Sequence, residues 1–299
     1  MPINLDAARR FLYDDARLLE RHLAAVLFDD APTEPVVTAL RAYRNADGGW
    51  GHALEPDLRG PDSQVSAAMS ALGILEQIDA HDDPMVTATA DWLQSVSVSD
   101  GSVPHVLPTA SAYPAAPWMQ PSDEGFLTYR TAAHLWCLGV DHPWLTSATE
   151  WCWNQIETRE LAGYEAVFAL NFIDAVPESV RAEHAVERFR PSLRADGSIP
   201  IPGGVDGERV TALKLSPKPG TPSRALFADD IIEANLDALE REQLDDGGWD
   251  FDFLHWSPGQ VVEWRGIVTL ENLDTLRAHG RIAESTEILG KNSAPLRGK

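Results

Sequence analysis

The chain has 299 residues, 44% of them apolar, with 46 acidic against 24 basic side chains and a formal net charge of −22. That apolar fraction supports a folded core, and the acidic surplus repels nucleic-acid phosphates and anionic lipid surfaces. Ten tryptophans need either deep packing or a concavity to line.

Residues 1–10 lack the apolar stretch of a signal sequence, and no run approaches the eighteen apolar residues of a membrane span, so a cytoplasmic protein is expected. Apolar residues then recur at three- and four-residue steps over 5–28, 36–43, 65–78, 86–96 and 126–138, and again over 144–156, 164–175, 180–189, 231–244 and 267–276. Convincing strand alternation is missing. Asp62, Ser122-Asp123 and Asp229-Asp230 are candidate N-caps, and Pro84, Pro143 and Pro177 fall near first turns. Cys137 and Cys152 lie in Trp-containing helical runs and read as reduced core residues.

These runs pair into five or six hairpins, at 5–44, 62–96, 123–157, 161–191, 206–243 and 264–289. Between 202 and 225, prolines and glycines predict a long loop over one face, with a short inner helix within 208–215. Residues 1–290 are expected to form one domain and 291–299 a flexible tail.

One turn is written repeatedly. Asp47-Gly48-Gly49-Trp50 and Asp246-Gly247-Gly248-Trp249 each close a helical run, and Asp100-Gly101-Ser102 and Asp196-Gly197-Ser198 are weaker copies. The spacings of 53, 96 and 50 residues suggest a unit of roughly fifty residues with one copy lost in the long interval. Runs that end in such a turn are polar on one side, and runs that follow it are rich in small residues, as in Ser66-Ala67-Ala68-Met69-Ser70-Ala71-Leu72-Gly73. Outer and inner helices of a closed double ring alternate in this way.

The segments 40–51 and 242–249, the second with Gln243, resemble the QW-type repeats of prenyltransferases, squalene-hopene cyclases and other terpenoid cyclases. The resemblance implies an all-α fold, an α/α toroid whose repeat turns connect each outer helix to the next inner one. Gly51-His52-Ala53-Leu54-Glu55-Pro56-Asp57, Pro61-Asp62-Ser63-Gln64 and Glu263-Trp264-Arg265-Gly266 also look like a bacterial group of single-toroid, prenyltransferase-like proteins.

In a toroid, residues that follow the turns converge on one rim. The candidate catalytic carboxylates are therefore Glu55, Asp57, Asp62, Asp229 and Asp250. The candidate substrate contacts are His52, Trp118, Phe126, Tyr129, Arg130, Asp252, Trp256, Glu263, Trp264 and Arg265. Crowded carboxylates raise one another's pKa, so one can act as a general acid on an alkene or epoxide, while aromatic faces shield the resulting cation. The competing reading has Glu55, Asp57 and Asp62 capping helices and pairing with Arg59, Arg130 and Arg265.

Phe227-Ala228-Asp229-Asp230 resembles the Asp-x-Asp-Asp box of squalene-hopene-type cyclases, with Asp229 in the acid's place. Its helix runs into the Asp246 turn, however, which predicts an outer position and favours capping. Asp229-Asp230-Ile231-Ile232-Glu233 imitates a magnesium-diphosphate box without a second metal motif, and Asp250-x-Asp252-x-x-His255 has no nearby cysteine to complete a zinc set. No metal or cofactor is predicted. The resulting expectation is a terpenoid cyclase-like enzyme that binds a hydrophobic isoprenoid and performs acid-initiated cyclisation or isomerisation; a non-catalytic binding or scaffold toroid and a carbohydrate-active α/α barrel are the alternatives. Oligomeric state is left open.

Overall fold

The computed structural model describes residues 3–205 and 208–282; the tail expected at 291–299 and residues 283–289 of the last predicted hairpin lie outside them. The helices are α1 (Leu5–Asp15), α2 (Leu18–Asp29), α3 (Glu34–Arg41), α4 (Val65–Gln77), α5 (Pro84–Val96) and α6 (Leu127–Cys137). They continue with α7 (Pro143–Thr158), α8 (Gly163–Ala175), α9 (Ser179–Val186), α10 (Ala212–Leu215), α11 (Asp229–Arg241) and α12 (Pro258–Ala278). Among the described residues the strands are β1 (Ile199–Pro200) and β2 (Arg209–Val210), one antiparallel pair.

Burial separates two rings of helices. In α6 nearly every residue from Leu127 to Leu135 is buried, and α4 buries Val65 through Ala68 in succession, so these helices have protein on all sides. By contrast α3 buries only Val36 and Leu40, and α11 only Ile232, Leu236 and Leu239, the single stripe of a helix with one face in solvent. The inner ring is α2, α4, α6, α8, α10 and α12, and the outer ring is α3, α5, α7, α9, α11 and α1. The 5–28 run thus divides at Ala16–Arg17 into an outer and an inner helix. Closure comes from α12 packing on α1 and α2, from Asn4 and Gln243 exchanging two hydrogen bonds, and from Arg277 reaching the Leu27 carbonyl.

The four repeat turns share one geometry. Gly48, Gly101, Gly197 and Gly247 have φ of 91°, 90°, 78° and 96°, a region that side chains rarely adopt. The aspartate before each accepts the amide N–H two residues on, at 2.9 to 3.0 Å. The missing copy falls between α7 and α8, where residues 159–162 make the same outer-to-inner step without the motif. Trp50 and Trp249 are packed between helices, with their indole N–H groups on Thr89 Oγ1 and the Leu239 carbonyl.

Several local expectations are corrected. Gln64, Phe126 and Ala228 occupy the N-cap positions for which Asp62, Ser122-Asp123 and Asp229-Asp230 were candidates, and none makes a side-chain cap bond. Asp229 and Asp230 lie inside the first turn of α11, where their charge complements the helix dipole. Cys152 is buried but Cys137 is exposed. The 202–225 stretch contains β2, α10 and a 3-10 turn at Pro222–Leu226, which is anchored where Asp174 accepts the Ser223 N–H and Oγ–H at 2.8 and 2.6 Å. The last inner helix starts at Pro258, nine residues before the 267–276 run, because Ser257 caps it through the Gln260 N–H.

Candidate functional site

The loop after the first repeat turn builds the site. Gly51 lies so close to the returning chain that a Cβ there would stand 2.2 Å from the Pro61 carbonyl oxygen. His52 and Ala53 follow with φ of 54° and 59°, two non-glycine residues in the left-handed region, a strain of order 1–3 kcal/mol each. Arg17 at the start of α2 holds this bend, donating to the Ala53 and Leu54 carbonyls at 3.3 and 3.0 Å. Its position is fixed in turn by a two-bond pair with buried Glu20.

Beyond the bend, Glu55 and Asp57 are 8% and 5% exposed. Asp57 Oδ1 accepts from Trp256 Nε1, Gln260 Nε2 and Trp264 Nε1 at 3.2, 3.1 and 3.0 Å, and Oδ2 accepts from Trp118 Nε1 at 3.1 Å. Burial pushes the Asp57 carboxyl up and these donors pull it back. The net shift is upward, but indole has no acceptor to offer, so the four donors favour the carboxylate form of Asp57.

Glu55 has a different environment. Its one hydrogen bond is a long one, 3.5 Å from the Asp57 amide. Burial first, and then the charge of Asp57, push its carboxyl up to about 8. Two neighbouring carboxyls thus differ: four donors favour the charged form of Asp57, while Glu55 has none of them and keeps its proton at pH 7. A recess of about 10 Å³, room for roughly one water, opens beside Glu55, lined also by Gly51, Ala53, Leu54, Leu58 and Ala67. Arg59, next to Leu58, forms a two-bond ion pair with Glu263 at 2.5 and 3.0 Å.

A second polar group lies on the inner helices. Glu76 of α4, Arg130 and His134 of α6 and Asn171 of α8 form one hydrogen-bonded chain. Glu271 of α12 is exposed, yet burial raises its carboxyl pKa, and the charges that oppose this come from Arg130 on α6 and Lys214 on α10.

Of the residues selected from sequence, the fold brings Glu55, Asp57, Trp118, Trp256 and Trp264 together, with Glu263 beside them. Asp62 is exposed and only borders the recess. Asp229 is exposed on outer helix α11. Asp250 sits 3.4 Å from His255, while Asp252 pairs with Lys214 at 3.1 Å. Among the described residues no group of three His, Cys, Asp or Glu side chains could hold a metal ion. His52 is exposed and bonded to Asn45, and Arg265 pairs with Asp246 of the last repeat turn. Tyr129 has no exposed surface and packs on Trp151. Phe126 stacks on Phe168 and meets the ring of His105, whose pKa burial lowers to about 4. Gln260, Arg17, Glu76, His134, Asn171 and Glu271 were not identified from the sequence. Only Gln260 had a sequence signal, since it lies one helical turn before Trp264 on a stretch with no strong helical periodicity.

No protein-family model matches the chain, and no curated protein matches its sequence. A solved protein from Actinoplanes superposes with a TM-score of 0.58 at 16% identity, covering 92% of this chain and 99% of that one. A variant of the type II terpene cyclase MstE from Scytonema, in complex with its substrate geranylgeranyl dihydroxybenzoate, gives a TM-score of 0.56 at 11% identity, with 93% and 97% covered. The apo form of MstE gives 0.55 at 11% identity, over 93% and 98%. Identities this low speak to fold and not to chemistry. Among the described residues no helix is long and apolar enough to cross a membrane. The chain has a terpenoid cyclase-like, all-α toroid fold.

Proposed function

We propose that the protein is an acid-initiating isoprenoid cyclase or isomerase in which Glu55 is the proton donor. The observation that carries this reading is the divided carboxyl pair: Glu55 keeps its proton up to about pH 8 beside an Asp57 carboxylate favoured by four N–H groups. A buried neutral carboxylic acid that borders a recess can protonate a carbon–carbon double bond or an epoxide. Glu55 gives its proton to the substrate, a tertiary cation forms, an internal double bond attacks it, and the final cation loses a proton to solvent, from which Glu55 is reprotonated, so the net change on an alkene is an isomerisation. The Asp57 carboxylate stabilises the developing positive charge, as do the rings of Trp118 and Trp264. The likeness to MstE supports the reading through the fold, since in that protein the same toroid holds a substrate with a geranylgeranyl chain.

The recess beside Glu55, about 10 Å³, is far below the usual size of a small-molecule pocket. The same small volume favours a second reading, a binding toroid without turnover.

The two readings separate when the purified chain is incubated with C15 to C30 isoprenoid alcohols, acids, diphosphates and epoxides and the products are resolved by mass spectrometry. The cyclase reading expects an isomer of one substrate, at least 100-fold less of it with Glu55→Gln, and unchanged output with Asp62→Asn. Binding without any product from the panel would support the binding toroid.

A further inference from the structure

The stretch between the last repeat turn and α12 lies over the mouth of the ring. The inner helices run α2, α4, α6, α8, α10 and α12, which sets α4 opposite α10 and α6 opposite α12. Residues 250–256 meet all four of these sides. Asp252 pairs with Lys214 on α10 at 3.1 Å, and Trp256 donates to Asp57 in the loop ahead of α4. The Phe253 ring lies edge-to-face with Trp118, ahead of α6, and with Trp264, on α12, at centroid distances of 6.1 and 5.3 Å. So short a stretch that reaches opposite sides of a ring crosses its opening as a strap.

The ends of the strap are firm and its middle is not. Trp249, just before it, donates its amide to Thr269 Oγ1 and its indole N–H to the Leu239 carbonyl, and Ser257, just after it, caps α12. Among the described residues, no amide or carbonyl of 250–256 bonds to other main chain. The loop at 51–62 is fastened differently, through the Gly51, Ala53 and Arg59 amides to the carbonyls of Tyr43, Gly60 and Pro114. Segments held by few main-chain bonds open at low cost. The ion pair on the α10 side adds little, since Lys214 and Asp252 are 46% and 40% exposed.

Closure also leaves a buried group unpaired. Gln260 has no exposed surface, and its Nε2 is shared between Asp57 Oδ1 and the strap's Leu254 carbonyl. Its Oε1 is buried without a hydrogen-bond partner among the described residues, which opposes the state that buries it. Phe253 sits against the two indoles whose N–H groups hold Asp57, and Glu55 lies two residues along. The recess beside Glu55 has room for roughly one water, so a larger ligand enters only when part of this rim moves.

We propose that residues 250–256 form a gate, closed in this structure, which swings about Trp249 and Ser257 to admit an apolar ligand to Trp118, Trp264 and Glu55, with Phe253 as its latch. This rests on the reading of the Glu55 site as a ligand site and assigns the ligand's route to it.

The test is the rate of binding of all-trans-retinol, a neutral isoprenoid alcohol, followed by quenching of tryptophan fluorescence in the full chain. In the parent protein the observed rate should level off at high retinol, because opening becomes limiting. Phe253→Ala should raise that ceiling roughly tenfold by removing the latch contacts. Lys214→Cys/Asp252→Cys, made with Cys137→Ser so that buried Cys152 is the one other thiol, can be bridged by a short bis-methanethiosulfonate. The bridge should slow binding roughly tenfold, and dithiothreitol should restore it. Rates that are the same with and without the bridge, a ceiling unmoved by Phe253→Ala, or no binding to either the parent or Phe253→Ala overturns the gate. Gated binding without product from any isoprenoid supports the gate and counts against the cyclase reading. Product formed as fast by the bridged protein overturns the gate and leaves the cyclase reading standing.

Discussion

Trp264 on α12 donates its indole N–H to Asp57 Oδ1 at 3.0 Å, across 207 residues of sequence. Trp256 and Gln260 add their bonds from just before α12 and from its first turn, and Trp118 adds a fourth from the segment ahead of α6. One carboxylate thus joins three separate stretches of chain at the rim. It also supplies the charge that helps to keep Glu55 protonated.

Replacing Asp57 by Asn sets one acceptor oxygen and a competing N–H2 group against four N–H donors. We expect Asp57→Asn to lose about 2–4 kcal/mol of stability, because it leaves buried donors unpaired. Urea unfolding at pH 7 reads this directly. The Glu55 pKa should also fall from about 8, while staying above the ordinary 4.5 because burial remains. A titration of Glu55 that does not move would show that Asp57 is not the charge responsible.

Stability should depend on pH through Glu55. Its folded pKa of about 8 lies above the unfolded value near 4.5, so between these values the folded state binds more protons than the unfolded one. Stability is then full below pH 4.5 and declines up to pH 8, by at most about 5 kcal/mol from this group. Glu55→Gln stays neutral at every pH and should flatten that slope. Urea midpoints for both proteins at pH 5 and pH 8 provide the check; parallel declines would rule Glu55 out as the source.

Gly51→Ala places a methyl group 2.2 Å from the Pro61 carbonyl oxygen and 2.4 Å from that of Asp62. Backbone oxygens cannot rotate aside as side chains do. A loss of about 3 kcal/mol is expected, with reduced protection from hydrogen exchange across residues 51–62. A variant as stable as the parent would mean that this loop is looser than its geometry implies.

Asp229→Ala removes an exposed carboxylate from the first turn of an outer helix. Stability should change by less than about 0.5 kcal/mol and any catalytic output should be preserved. Loss of product with this variant would return the acid's role to the Asp229 motif and away from Glu55.

The repeat turns made the fold legible. An Asp-Gly pair closing an amphipathic run is a local signal, since the glycine's positive φ and the aspartate's bond to the second following amide are satisfied within a few residues. The same signal placed Asp229 on an outer helix. Capping was less legible at α4, α6 and α11, whose preceding segments are shaped by contacts with other parts of the chain. Phe11 of α1, for instance, packs against the turn at Gly248, and sequence distance conceals that closure.

The sequence by itself determined the helix alternation, the outer-to-inner turns and a rim rich in carboxylates and tryptophans, because periodicity and turn chemistry act over short spans. Tertiary structure alone decided which carboxyl is supplied with donors. Asp57 and Glu55 are two residues apart and similar in type, and they differ only in the donors that ring closure brings to one and withholds from the other. Arg130 was visible as a charge near the rim, but its hydrogen bonds to His134 and Asn171 depend on where α6 and α8 place their side chains. Electrostatic state follows from three-dimensional neighbours, and in a closed ring those neighbours come from opposite ends of the chain.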